Sequence, residues 1–299
     1  MIHHSHCPVC HSDQISFLFA VKDYTVSKAD FPVWHCGQCT ARFTQDIPDQ
    51  ASIGAYYASQ DYISHSDTRE GLINKLYHWV RKNTLRSKRK LVVTETQVQK
   101  GEILDIGCGT GAFLNEMKNA GWNITGLEPD AIARQKAGEL YSITPQPSSD
   151  LFELKSGRYQ AITMWHVLEH VHDLHPYLQQ LEKLLAPGGC IFIAVPNYTS
   201  ADASHYQQYW AAYDVPRHLY HFSPASMKPL MEKYGLQITA YKPMWYDSFY
   251  VSMLSEPFKK GKSNLLAACW NGFVSNLQTI ADKKKCSSVI YVIKKQGSK

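Results

Sequence analysis

The sequence has no long apolar run. No stretch reaches the roughly 18 apolar residues that a membrane-spanning helix needs. The opening residues, MIHHSHCPVC, lack the apolar core of a secretion signal. Proline and glycine, at 14 and 17 of 299 residues, are too sparse for a collagen-like or low-complexity chain. Excess charge is missing too. The 31 Lys and Arg against 26 Asp and Glu leave +5, a weaker basic bias than dedicated nucleic-acid binders show. With 44% hydrophobic and 19% charged residues, the chain is too apolar to stay disordered. The expectation is a soluble, cytoplasmic, globular protein. Its length favours two units over one, because single cores stop growing near ~250–300 residues.

What is present begins with cysteine. Cys7 and Cys10 form one Cys-x-x-Cys knuckle, Cys36 and Cys39 a second, while Cys108, Cys190, Cys269 and Cys286 stand alone. A secreted disulfide scaffold would be shorter and denser in cysteine. Four soft thiolates on two tight turns suit tetrahedral Zn²⁺. All four positions are filled by protein, so the expected ion is structural. A segment this small needs the roughly 10–16 kcal/mol that zinc binding supplies to fold. The competing reading is a redox pair. Neighbouring His11 and His35 are weaker candidates as ligands. Strands are expected over 15–21, 31–35 and 41–44, making residues 1–48 a zinc ribbon.

Residues 49–100 read as a helical linker or lid, with a break near 64–67. Asp67 and Glu70 have capping-box spacing, and Leu72, Ile73, Leu76, Trp79 and Val80 recur at helical intervals. The basic run Arg81, Lys82, Arg86, Lys88, Arg89, Lys90 reads as a solvated helix face, with a phosphate-contacting patch as the alternative. From residue 101, strand and helix alternate. Strands are expected at 102–107, 123–128, 141–144, 159–166, 190–197 and 288–295. Helices are expected at 112–120, 130–140 and 174–185, and from Pro224 behind a Ser223 cap. Strands apolar on both faces fit a parallel sheet covered on both sides. The fold class is therefore a doubly wound α/β domain over 101–299, with insertions at 198–222 and 246–284.

Gly107, Gly109 and Gly111 lie between the first strand and its helix, where backbone can approach a ligand. Alone they also satisfy a loose dinucleotide fingerprint with Ala112. Glu128, at the end of the second strand, suits ribose hydroxyls under either reading. Asp105 separates the two, since a carboxylate there repels a pyrophosphate but attracts an ammonium group. Asp150, Leu151 and Phe152 follow the third strand, a place for an acid on an adenine amino group and apolar packing on its ring.

The segments LDIGCGTG, GLEPD, SDLFEL, ITMWHVLEHVHD and LLAPGGCIFIAVPN together resemble the class I S-adenosylmethionine-dependent methyltransferases, across about residues 101–245. The resemblance implies a Rossmann-like methyltransferase sheet with S-adenosylhomocysteine as product. It implies that Asp105 and the backbone of Gly107, Cys108 and Gly109 hold the methionine part, with Gly111 completing the turn. Glu128 would take the ribose hydroxyls, Pro129 would lie beside the adenine, and Asp150 and Leu151 would face its edge. Trp165 and His166 would end the fourth strand at the ligand-binding edge. Separately from the resemblance, Tyr56, Tyr57 and Tyr62 in YYASQDY could close over the donor, with buried helix packing the equal alternative for the first two.

The zinc ribbon, the LEH stretch and PRHLYHFS further resemble bacterial methyltransferases that include sugar-nucleotide C-methyltransferases and polysaccharide-associated relatives. Of the Tyr-His-Glu-His stretch of the sugar enzymes only the last histidine has a counterpart, His218. Val215, Pro216 and Arg217 fill the other positions. O-methylation of a small or glycan-type acceptor, such as a sugar nucleotide, is therefore favoured over C-methylation. A histidine base suits neutral pH, with His218 first, His166 second and His221 third; His170 reads as a packing residue. The apolar stretch 265–277 reads as core or homodimer packing, with membrane contact the lesser alternative. Two rivals remain: an RNA methyltransferase gripping phosphate with the ribbon and residues 81–90, and a donor-binding protein without turnover. Nucleic acid is not the expected partner.

Overall fold

The computed structural model describes residues 1–57 and 72–297, and of residues 72–78 the backbone alone. The expected cap at Asp67 and Glu70, the break at 64–67 and Tyr62 lie outside the described residues.

Strands β1 (Ile15–Lys22), β2 (Asp30–Cys36) and β3 (Arg42–Thr44) form an antiparallel ribbon, as the sequence predicts. The main sheet holds β4 (Glu102–Ile106), β5 (Asn123–Leu127), β6 (Tyr159–Trp165), β7 (Leu185–Pro196), β9 (Leu236–Pro243) and β10 (Ser288–Lys295). Its order is β5-β4-β6-β7-β10-β9. The first four strands are parallel, and β10 runs antiparallel to both neighbours.

Alternation along the strands sorts side chains onto two covered faces. Ile103, Ala161, Phe192 and Val292 pack with Val92 of α1 (Leu72–Thr96) and Phe113 and Met117 of α2 (Ala112–Asn119). Leu104, Ile162, Ile193 and Ile293 face the other way. They join Leu178 and Leu181 of α4 (Leu174–Leu184), Leu230 and Met231 of α6 (Pro224–Glu232), and the ribbon residues Phe43 and Cys36. Between β5 and β6 runs α3 (Ala131–Tyr141), capped by Asp130, whose carboxylate accepts from the Ile132 and Ala133 N–H groups. Ser223 caps α6 as predicted.

The strand expected at 141–144 is not formed. The α3 helix runs to Tyr141, and Ser142 closes it in the left-handed region at φ 51°. Pro145 has no N–H to give a ladder. Pairing shrinks to one bridge, in which Gln146 N–H donates to Gly126 and Gln146 accepts from Glu128 N–H.

The insertion after β7 contains α5 (Ala201–Tyr206) and the two-residue strand β8 (Tyr220–His221). That strand is the fourth of the ribbon, pairing Tyr220 with Phe43 and His221 with Arg42. The insertion before β10 is a hairpin of α7 (Asp247–Lys260) and α8 (Leu265–Ala281). No helix among the described residues is long and apolar enough to cross a membrane.

Candidate active site and metal centre

The two knuckles bring four thiols together. The Sγ atoms of Cys7, Cys10, Cys36 and Cys39 all lie within 4.8 Å of one another, and all four cysteines are free. Cys7 and Cys39 are 3.7 Å apart and Cys10 and Cys36 3.6 Å. A zinc ion with bonds near 2.3 Å requires tetrahedron edges of about 3.8 Å, so the donor set fits. The hydrogen bond from Cys39 pulls the Cys7 thiol down to about 5 and correspondingly pushes Cys39 up. Val9 N–H also points at Cys7 Sγ, 3.4 Å away.

The glycine turn after β4 is tightly specified. A Cβ on Gly107, at φ 68°, would stand 2.4 Å from Val167 Cγ2. One on Gly109, at φ 55°, would meet nothing within 4 Å, so the turn opens there onto free space. Gly107 and Cys108 both donate their N–H to Leu127 O, at 2.7 and 3.1 Å, and Gly109 N–H donates to Glu128 Oε2 at 2.7 Å. The backbone N–H donors assigned to the methionine part are thus already engaged within the protein. Gly111 donates to Cys108 O and forms the N-cap of α2.

Two buried acids flank this turn. Glu128 also accepts from Asp130 N–H at 3.0 Å, and burial raises its carboxyl. Asp105 accepts from Thr163 Oγ1 at 2.6 Å, and burial pushes it up to about 7. Opposite stands Lys88, its Nζ 4.2 Å from the centre of the Trp165 ring. Burial lowers its ammonium to about 8, against the pull of Asp105 and Asp247. The sequence reading placed Lys88 on a solvated face. Its helical phase contains the missed signal: Lys88 lies three residues from Leu85 and four from Val92, on the packed stripe of α1. Arg89 is likewise engaged, with Glu116 at 2.9 Å, so the basic run offers less free charge than its sequence suggests.

Of the adenine-side residues, Leu151 is fully buried in the core and its carbonyl accepts from Gln180. Asp150 is half-buried on a 3₁₀ turn, Pro129 is exposed beside Glu128, and Phe152 packs edge-on against Tyr177 at the surface.

At the end of β6 the chain turns through His166, at φ 58°. Its Nε2 is 3.2 Å from Asp247 Oδ2, and its Nδ1 is 3.3 Å from Glu169 Oε1. Burial alone would lower this imidazole, but the two carboxylates override it and lift it to about 9. Glu169 is fully buried, and among the described residues its carboxylate has no hydrogen-bond partner beyond that ion contact. Glu169, His170 and His218 each place one ligand-type atom within 4.8 Å of the others. The His218 Nδ1–H donates to Ala212 O at 2.8 Å, which leaves Nε2 as its proton acceptor, 4.0 Å from Asp214 Oδ2. The His170 Nδ1–H is shared between Arg217 O and Tyr57 Oη, each at 2.9 Å, and burial lowers that ring to about 4. Tyr56 and Tyr57 therefore sit on the histidine side, with Tyr56 O accepting from Arg217. His221 is committed elsewhere: its Nε2 is 3.1 Å from Thr44 Oγ1, inside the ribbon sheet.

The ribbon holds this histidine loop directly. Thr44 Oγ1 donates to His218 O at 2.7 Å. The buried Arg217 guanidinium bridges Asp214, at 2.6 Å, and Asp23 of the ribbon, at 3.1 Å.

A family model described as "Methyltransferase domain" matches residues 77–241. A ubiquinone biosynthesis O-methyltransferase of Cronobacter sakazakii is 34% identical over 103 residues, 32% of this chain and 42% of the relative. One from Xanthomonas euvesicatoria pv. vesicatoria is 27% identical over 173 residues, 52% of this chain and 71% of the relative. The chain thus spans less than half the length of the first of these. Among solved structures, magnesium protoporphyrin IX methyltransferase from Synechocystis PCC 6803 with bound SAH superposes at a TM-score of 0.52 and 16% identity, over 82% of this chain and 99% of that one. The Burkholderia thailandensis 1,6-didemethyltoxoflavin-N1-methyltransferase superposes at 0.50 and 13%, over 88% and 98%. At these identities the structural likeness speaks for the fold.

Proposed function

The chain belongs to the methyltransferase-domain family, and on that premise we propose that it transfers a methyl group from S-adenosylmethionine to an oxygen of a small or glycan-type acceptor. The observation that carries this reading is the pair of buried acids beside an open glycine turn, with a chain of carboxylates and imidazoles at the same sheet edge. The curated relatives include enzymes named as O-methyltransferases, which supports oxygen over carbon.

When bound, the donor brings a methyl group already activated on a sulfonium, so the protein mainly aligns the acceptor and removes its proton. Glu128 takes the ribose hydroxyls. Asp105 and Lys88 offer an anion and a cation to the two ends of a zwitterionic amino acid. His218 is the general base, its tautomer fixed by Ala212 O, and Glu169 stabilises the imidazolium it becomes. His166 is already charged near neutral pH and holds Glu169 and Asp247 in place. The four thiolates bind one structural zinc, which fixes the strand that carries Thr44 to the His218 loop.

The test has two parts. Calorimetry with S-adenosylhomocysteine should show binding that Glu128→Ala weakens. A labelled-methyl screen across hydroxylated small molecules and sugar nucleotides should then find an acceptor. His218→Ala should cut kcat by ~10²–10⁴ with donor affinity intact. Uptake of a nicotinamide dinucleotide in place of S-adenosylhomocysteine would sink the proposal.

A further inference from the structure

Helix α8 is built inside out. Its inward face is small and polar: Ala268, Gly272, Ser275 and Thr279 are buried. A Cβ on Gly272 would stand 2.7 Å from the Phe249 ring, so α7 packs there at close range. Ser275 Oγ donates to Asp202 at 2.7 Å, and Asn271 donates to Tyr206 Oη at 3.0 Å. The large apolar side chains point out. Leu266 is 85% exposed, Trp270 65% and Ile280 71%, with Phe273 and Leu277 exposed between them. The steps of four, three, four and three residues place all five on one stripe. A contiguous apolar patch on this scale marks an interaction surface.

The charges around the stripe decide what covers it. The helix itself contains no charged residue. Lysines bracket it, with Lys259, Lys260 and Lys262 before and Lys283, Lys284 and Lys285 after. Lys260 pairs with Glu256, and Lys284 lies over the Tyr241 ring. Lys262, Lys283 and Lys285 are exposed without an ion-pair partner among the described residues, and the nearby Asp282 is bound to Lys284 N–H. A second copy of the chain fits poorly. Pairing α8 with itself, parallel or antiparallel, sets lysine beside lysine at both ends. The acid next to the stripe, Asp282, is taken up by Lys284 N–H, and α8 itself contains no charge to fix a register between paired helices. An anionic lipid surface satisfies both features, taking Leu, Phe and Trp at the headgroup boundary and lysine on phosphate.

We propose that α8 docks on an anionic phospholipid bilayer, with the 266–280 stripe in the interface and Lys262, Lys283 and Lys285 on the lipid phosphates. The α7–α8 hairpin is tied to the candidate site, because α7 starts at Asp247, whose carboxylate lies 3.2 Å from His166 Nε2. Docking therefore sets the catalytic edge close to the membrane. This inference is independent of which acceptor is methylated.

The full chain loaded with zinc is sedimented with vesicles of phosphatidylcholine containing about one-third phosphatidylglycerol, and with pure phosphatidylcholine. Strong binding is expected only to the anionic vesicles, with a blue shift of tryptophan emission. Trp270→Ser with Phe273→Ser should remove the shift and weaken binding at least tenfold, with melting temperature and S-adenosylhomocysteine affinity unchanged. Replacing Lys262, Lys283 and Lys285 by Gln should weaken it by about 100-fold. The proposal falls if the native chain ignores anionic vesicles or binds neutral ones equally. It falls too if the chain is a dimer in which Trp270 is shielded without lipid.

Discussion

His166 bears a charge that pH can remove, and its loss is measurable. The perturbation is His166→Asn, chosen because asparagine tolerates the left-handed backbone at φ 58°. In the native chain the carboxylates of Asp247 and Glu169 lift the imidazole from 6.5 to about 9 against burial. At ~1.36 kcal/mol per unit this corresponds to at most about 3 kcal/mol of stability. The pKa is raised on folding, so this contribution is complete below about pH 6.5. It declines as pH rises and is lost above about 9. Other groups titrate in the same window, Lys88 and Asp105 among them. The informative quantity is therefore the native-minus-variant difference from urea unfolding at several pH values between 6 and 10. That difference should be largest at pH 6 and shrink by about 2–3 kcal/mol by pH 10. A difference that stays flat would mean that the imidazole is neutral in the folded protein. The proton-accepting role assigned to His218 would then lose its main argument against His166.

Three further outcomes are expected. Elemental analysis should find one zinc per chain, and Cys36→Ser should lose it together with the ribbon's resistance to proteolysis and most of the turnover. Glu128→Gln should weaken S-adenosylhomocysteine binding by about 10- to 100-fold, the range for losing charged hydrogen bonds to a ligand; calorimetry with an unchanged affinity would remove Glu128 from the site. Gly107→Ala should lower stability by at least about 2 kcal/mol, because its Cβ meets Val167 at 2.4 Å in a positive-φ turn. Combining it with Val167→Ala should restore part of the melting temperature.

Local signals carried much of this fold. Four thiols at knuckle spacing, apolar strands ending at glycine, and Asp130 and Ser223 before helices each act within a few residues, and each is found where it was expected. The 141–144 strand failed for an equally local reason, the missing N–H of Pro145. What the sequence concealed was long-range. Asp247 lies 81 residues from the His166 it charges, and Thr44 lies 174 residues from His218. No periodicity encodes such a meeting. Lys88 was legible in principle through its helical phase, but a basic run draws attention to its charge and away from its register. Tyr62 lies outside the described residues, so its role stays a matter for mutagenesis.

The ladder between β3 and β8 has a consequence for biosynthesis. Phe43 leaves the ribosome long before Tyr220, its partner, has been translated. At ~5–20 residues per second the open edge of the nascent ribbon waits for roughly ten seconds or longer. A metal captured early by the first 39 residues would hold that edge in shape through the delay, making zinc supply during translation a determinant of yield.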